Sequence, residues 1–347
     1  MHMADALITP AVAGGMYACS GAAMCYSVKK IKGLEEPEKI PVMGVMGAFV
    51  FAAQMINFTI PGTGSSGHLC GGVLMSAVLG PEAGFLTMIG VLLVQCLLFA
   101  DGGLLALGAN IWNMAFYGCF IGGLLIWKCT MKRGMSRKKV IAASFVGCIL
   151  TLQLGAFSVV LETMISGVTQ LPPGIFLAAM QPIHLAIGLV EGGITAAVLL
   201  FLYEMRPELL WGYNGRTAME KAGGSGEREQ TAYRKKAARL SAWQTVGVLA
   251  VSALVIGGLL SQAASAYPDG LEWSIERTIG GEEISASGDI YEAAADVQEA
   301  AALFPDYGFR ESGSAVGTSF SGVIGGITVI GLCVICCYAL RFFRKRR

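Results

Sequence analysis

The chain begins Met1-His2-Met3-Ala4-Asp5-Ala6-Leu7, which places a histidine directly behind a free α-amine. The amine, the backbone amide nitrogen of His2 and the His2 imidazole can close two fused chelate rings on one metal ion. Three nitrogens then fill three equatorial positions and leave a fourth open. Nitrogen-rich, square-planar surroundings suit Ni(II) or Cu(II). Histidine is too bulky for the usual removal of an initiator methionine, so Met1 is expected to stay once its formyl group has been taken off. In an arbitrary chain a second-position histidine is a frayed terminal residue, so the other residues must supply the rest of a site.

Only two more histidines exist, His68 and His184. His68 closes the run Asn57-Phe58-Thr59-Ile60-Pro61-Gly62-Thr63-Gly64-Ser65-Ser66-Gly67-His68. That run is too polar and glycine-rich to face lipid, and irregular backbone at membrane depth survives only where protein or a cavity covers it. Tight glycine turns can aim His68 at the N-terminal amine, which makes it the expected fourth ligand beside Met1 and His2. His184 opens an apolar helix with Glu191 seven residues on, along the same face. Ionisable residues inside a span are functional suspects; this pair could support the ligands, handle protons or pack helices. Asp5, Ser66, Asp101 and Asn110, with His184 and Glu191, are the groups expected to stand behind the ligands, although Asp5 and Asp101 could serve only as caps. Gln54, Gln95 and Asn113 read as interhelical hydrogen-bonding groups. A membrane metalloenzyme using His184 and Glu191 is the rival reading of a different class, and a metal sensor or passive channel is a third. No His-Glu-x-x-His sequence and no phosphate loop occurs, so the chain is not expected to energise transport by its own nucleotide hydrolysis.

These residues need a membrane scaffold. The chain of 347 residues is 54% hydrophobic and only 14% charged, against about 25% charged in soluble domains. Apolar segments are read near 6–28, 41–58, 69–80, 84–100, 104–127, 140–165, 175–203, 243–264 and 317–340. No basic segment precedes the first run, so no signal peptide is expected. With the N-terminus outside, the inside segments carry 23 of the 25 Lys and Arg residues, leaving Arg277 and Arg310 outside. That bias fits the positive-inside rule and predicts a cytoplasmic C-terminus. The basic residues therefore read as topology signals, and nucleic-acid binding is not suggested. Segment 265–316 holds 11 of the 24 acidic residues and no cysteine. The ten cysteines fall in or beside apolar spans and read as packing residues.

The fold class predicted is an all-α polytopic membrane protein: a seven-span unit over 1–204, a charged linker over 205–242 and a two-span unit over 243–347. Within the latter's outside loop, Ile290–Leu303 is predicted to be helical, and Pro305 should end that helix. Gly317, Gly322, Gly325 and Gly326 would allow close helix contact.

Taken together, Met1–Leu7, Gly62–Leu69 with His68, Leu98–Gly103, Leu107–Asn110 and His184–Gly192 resemble the cobalt/nickel substrate-binding membrane component of energy-coupling factor (ECF) transporters, the CbiM/NikM family. The resemblance covers about residues 1–205. The second half, with Tyr267-Pro268-Asp269-Gly270-Leu271-Glu272-Trp273 and Phe304–Phe309, resembles the small accessory subunit that carries a Pro-Asp-Gly-Leu-Glu motif. The resemblance implies a seven-span, ECF-type bundle whose extra first helix brings the N-terminus into the binding cavity. It also implies metal ligation by Met1, His2 and His68. Its implied partners are a transmembrane coupling subunit and cytoplasmic ATPases in the plasma membrane. Ni(II) is the expected cargo, with Co(II) supplying cobalamin biosynthesis as the alternative; no permanent cofactor is implied. The accessory motif favours nickel, while Met3-Ala4-Asp5 departs from the Ile-Met-Glu of many cobalt members.

Overall fold

The computed structural model describes residues 1–31, 39–168, 170–213, 241–281, 284–309 and 315–345. Most of the expected linker, 214–240, therefore lies outside the described residues. Helices α1 (Pro10–Lys30), α2 (Lys39–Gln54), α3 (Gly72–Leu79) and α4 (Pro81–Phe99) come first. They are followed by α5 (Leu107–Met131), α6 (Arg137–Ile165) and α7 (Pro173–Met205). The remainder forms α8 (Ala242–Gly258), α9 (Gly270–Ile279), α10 (Asp289–Ala301) and α11 (Ala315–Lys345). Among the described residues, α4, α5, α6, α7 and α11 are long and apolar enough to cross a membrane, while the apolar parts of α2 and α8 are shorter. The protein is an integral membrane protein.

Two local features differ from the all-helical, span-by-span expectation. The segment Phe58–Ile60 (β1) pairs antiparallel with Ser65–Gly67 (β2), with Thr59 opposite Ser66. This small hairpin carries the glycine-rich loop on which His68 sits. The expected span 69–80 is the eight-residue α3, about 12 Å long at ~1.5 Å per residue. That is under half the ~30 Å hydrocarbon thickness. Gly71 before it and the Gly80-Pro81 corner after it set its limits, and Gly72 to Val78 are all buried. A segment that ends at membrane depth is tolerated when protein encloses it in this way.

The α6–α7 hairpin is the most extensive helix pair, and α5 packs against both α6 and α3. On the other flank, α8 and α11 lie on α2 and on each other. Small residues make the second contact possible. A Cβ at Gly322 would sit 2.2 Å from the Gly257 carbonyl oxygen, and one at Gly325 would sit 2.1 Å from Cζ of Phe51. Only glycine permits that approach.

Between α8 and α11 the chain returns over one end of the bundle through α9 and α10. Helix α10 ends at Ala301, two residues before the expected Leu303 and ahead of Pro305. The same end collects the N-terminal segment, the β-hairpin, the α4–α5 turn and the α6–α7 turn. The Lys- and Arg-rich ends of α1, α5 and α6 lie at the opposite end, as helix direction requires.

Candidate metal-binding site

Residues 1–9 fold inward instead of fraying. Met1 is 4% exposed and Met3 fully buried. Main-chain groups of Met3 are clamped by Asn110, whose Oδ1 accepts from Met3 N at 2.8 Å while its Nδ2 donates to Met3 O at 3.2 Å. Gly103 N also donates to Met3 O at 2.8 Å. Asp5 Oδ1 accepts from Ala106 N at 2.9 Å. A Cβ on Gly103 would lie 1.8 Å from that carboxylate oxygen, so the α4–α5 turn needs glycine where the N-terminal segment crosses it.

This anchoring brings the amine of Met1 to 3.2 Å from Nε2 of His68. The His68 tautomer follows from its other nitrogen. Nδ1 lies 3.1 Å from the Leu69 carbonyl oxygen, which only accepts, so Nδ1 carries the proton and the Nε2 lone pair faces the amine. The ring of His2 stacks on that of His68 with centroids 5.1 Å apart. Its Nδ1 lies 3.2 Å from Asp101 Oδ1 and its Nε2 3.2 Å from Gln95 Oε1. Burial pushes the His2 imidazole down to about 4, against the pull of Asp101, so the ring is neutral at physiological pH and available to a metal ion. The terminal amine, His2 and His68 are thus brought together.

The amine has one more neighbour. Asp269 Oδ2 accepts from it at 2.8 Å and lies 3.7 Å from His68 Nε2. Burial, the largest single influence, disfavours the ammonium, but Asp269, with smaller help from Cys70 and Asp101, holds the amine above its ordinary pKa. Burial would push Asp269 up; the ammonium and His68 instead hold it well below the usual carboxylate range. The other oxygen, Oδ1, caps α9 by accepting from Leu271 N and Glu272 N at 2.8 and 2.9 Å, and Glu272 reaches back to Asp269 N at 3.1 Å. Asp-Gly-Leu-Glu is a capping-box spelling, a signal that places a helix start at Asp269 but gives no hint of the Met1 contact.

The remaining expected residues take separate positions. Ser66 does not touch Met1; its hydroxyl donates to Tyr267 O at 2.7 Å and its N–H to Pro268 O at 2.8 Å, which docks the Asp269 loop onto the hairpin. Glu191 accepts from Cys70 N and Gly71 N, both at 2.9 Å, and so fixes the turn that follows His68. His184 Nδ1 donates to Met180 O at 2.7 Å, within its own helix. Its Nε2 is buried without a partner among the described residues. Asp101 Oδ2 accepts from the Tyr307 hydroxyl at 2.5 Å. Sequence reading passed over Tyr307 and also over Glu162, a buried carboxylate that accepts from Asn113 Nδ2 at 2.8 Å and Ser158 Oγ at 3.1 Å.

Above the donors lies a cavity of ≈ 660 Å³, lined by His2, His68 and six carboxylates, Asp5, Asp101, Asp269, Glu272, Glu292 and Asp306. Among the described residues no lysine or arginine lines it. A cleft of one sign raises the local concentration of counter-ions, here cations. Among the described residues no group of three or more His, Cys, Asp or Glu side chains forms a metal site.

The family model of the cobalt uptake substrate-specific transmembrane region, CbiM, matches residues 2–209. The chain belongs to the CbiM family. A PDGLE domain matches residues 243–342, so this CbiM protein carries the accessory unit in the same chain. A putative fused nickel transport protein NikMN of Archaeoglobus fulgidus is 33% identical over 334 residues, 96% of either chain. A probable fused nickel transport protein LarMN of Lactiplantibacillus plantarum is 30% identical over 61% of this chain and 67% of its own. A cobalt transport protein CbiM of Geobacter sulfurreducens is 28% identical over 65% of each chain. Among solved structures, a truncated transition metal transporter is 28% identical, with a TM-score of 0.52, over 59% of this chain and 99% of its own. The CbiM protein described here is a transport protein of metal uptake and not an enzyme.

Proposed function

We propose that this chain is the metal-binding membrane component of an ECF-type importer for Ni(II), powered by cytoplasmic ATPases through a transmembrane coupling subunit. The observation that carries this reading is the meeting of the Met1 amine with the His68 Nε2 lone pair at 3.2 Å, beneath a cavity lined by carboxylates. Met1 amine, His2 amide, His2 imidazole and His68 then make four nitrogens around one ion, a set that suits Ni(II). Co(II) is the second reading, supported by the cobalt uptake description of the family model. The carboxylate-lined cavity faces the outside in this reading, consistent with the basic residues at the opposite end. The PDGLE region assists loading or release, and Asp269 is its point of contact with the donors.

In mechanism, a hydrated divalent ion enters the carboxylate-lined cavity and meets the amine. The Met1 ammonium and the His2 amide lose their protons as the ion takes their nitrogens, and Asp269 gives up its ion pair. Reorientation of the bundle, driven by partner ATP hydrolysis, then delivers the ion inward. The test is reconstitution with the coupling and ATPase subunits in vesicles. ATP-dependent accumulation of Ni(II) is expected. Equal accumulation without nucleotide would mean a channel, and would overturn the reading.

A further inference from the structure

Two buried glutamines lie between the loop that presents His68 and the ring of His2, and their amides can be oriented by elimination. The main-chain carbonyl of Cys70 only accepts hydrogen bonds, so Gln54 turns its Nε2 to it, at 2.9 Å. Gln54 Oε1 therefore faces the other way and accepts from Gln95 Nε2 at 3.0 Å. That leaves Gln95 Oε1, again an acceptor only, 3.2 Å from Nε2 of His2. Gln95 is fully buried and Gln54 5% exposed, so water does not compensate for a reversed amide.

The consequence falls on His2. A neutral imidazole has one proton, and Gln95 Oε1 is satisfied only if Nε2 carries it. Nδ1 is then a lone pair, and Nδ1 is the nitrogen that closes a six-membered ring with the His2 amide. Asp101 Oδ1, 3.2 Å from Nδ1, is also an acceptor. With the proton on Nε2, a lone pair and a carboxylate face each other across a gap that a cation satisfies. With the proton on Nδ1, Asp101 is satisfied and Gln95 is not. The two acceptors compete for one proton, and the glutamine side favours the metal-competent tautomer.

We propose that Gln54 and Gln95 form a tautomer-setting relay that presents Nδ1 of His2 to the metal ion. The inference rests on the donor set proposed above and assigns positioning roles within it. Both histidines are then set from adjacent carbonyls of one loop: Leu69 fixes the proton of His68 directly, and Cys70 fixes that of His2 through two amides. Metal ligands commonly depend on a partner at the second ring nitrogen; here that partner is an amide whose direction is dictated two residues away from His68.

The experiment uses the full chain with its native N-terminus, ¹⁵N-labelled at histidine. Imidazole ¹⁵N shifts of the metal-free protein read the His2 tautomer, and competition with a chelator reads Ni(II) affinity. Gln95→Leu is expected to lower the Nε2–H fraction and to weaken Ni(II) binding by about 10- to 100-fold. Gln95→Glu, which keeps an acceptor at the same place, should restore most of both. Gln54→Leu, which touches no histidine, should shift the tautomer in the same direction by freeing the Gln95 amide to reverse. It also serves if Gln95→Leu does not fold. Unchanged tautomer and affinity in the folded glutamine variants would overturn the relay. His68→Ala separates the two levels: Ni(II) binding equal to wild type there would sink the donor set itself, whereas loss there with no effect at the glutamines sinks the relay alone.

Discussion

Met1 and Asp269 are 268 positions apart in sequence, yet the α-amine of one lies 2.8 Å from the carboxylate of the other. The pair ties the N-terminal end of the CbiM region to the start of the PDGLE motif. In the proposed donor set it also sets a competition, because the amine that a metal ion would need as a free base is held as an ammonium.

That competition has a sign. The amine is held above its ordinary pKa, so its proton persists to higher pH than in a free peptide, and metal must displace it. Ni(II) affinity should rise with pH throughout the range below that pKa, by about tenfold per pH unit for each proton released. Asp269→Asn keeps a side chain that caps helices well but removes the charge. Its binding curve should reach a plateau at lower pH than wild type, in calorimetric titrations repeated across pH. Superimposable pH profiles would show that the ion pair does not govern loading.

His68→Ala should cost more than about 100-fold in Ni(II) affinity, beyond the 10- to 100-fold usual for removing a supporting group. His184→Ala should cost less than about tenfold, because the His184 ring bonds within its own helix. Chelator competition on both variants checks the order, and the reverse order would move the site toward α7.

One residue added before Met1 converts the amine to an amide and shifts His2 to third place. A four-nitrogen chelate of the new amine, two amides and the imidazole could still hold Ni(II) without His68, so bare binding is a poor readout. Uptake in cells is the better one: an N-terminal extension should abolish it, and a tag after Arg347 should not. Normal uptake by protein that mass spectrometry shows to retain the extension would rule out the terminal amine.

Glu191→Gln should lower stability by about 1–3 kcal/mol, since a carboxylate that accepts two main-chain N–H groups becomes an amide with one oxygen. Thermal unfolding in detergent measures this, and Ni(II) affinity should fall with it as the His68 turn loosens. A melting temperature equal to wild type would contradict the anchoring role.

Gly322→Leu places a side chain where a Cβ alone meets the Gly257 carbonyl at 2.2 Å. The α8–α11 crossing must open, which should separate the PDGLE region from α2 and leave it sensitive to protease in folded protein. Protection equal to wild type would mean that the crossing tolerates bulk.

The nearness of Met1, His2 and His68 was legible because the chain has only three histidines and because a fused chelate, the reason to look there, needs only the first two residues. The helices were legible from apolar length and from Gly-Pro punctuation such as Gly80-Pro81. Asp269 was not, because an acidic residue at a helix start has a sufficient local purpose as a cap. Its second oxygen finds Met1 through the docking of the Tyr267–Pro268 loop on the hairpin and of α9 on α7, relations between surfaces far apart in sequence. The roles of Gln54 and Gln95 were hidden for a similar reason. A glutamine in a span reads as a hydrogen-bonding group, and only the Cys70 carbonyl tells which way it points. Segment 69–80 already reads as short for a span; that only eight of its residues are helical was not legible, because hydropathy measures polarity and not where protein already fills the space.

The burial of Met1 also orders events in time. At a synthesis rate of about 5–20 residues per second, roughly 13–54 s separate the appearance of Met1 from that of Asp269. During that interval the terminal nitrogen lacks the Asp269 carboxylate and has no α9 above it. Met1 therefore reaches its native surroundings only after Asp269 has been made, however early its own segment folds.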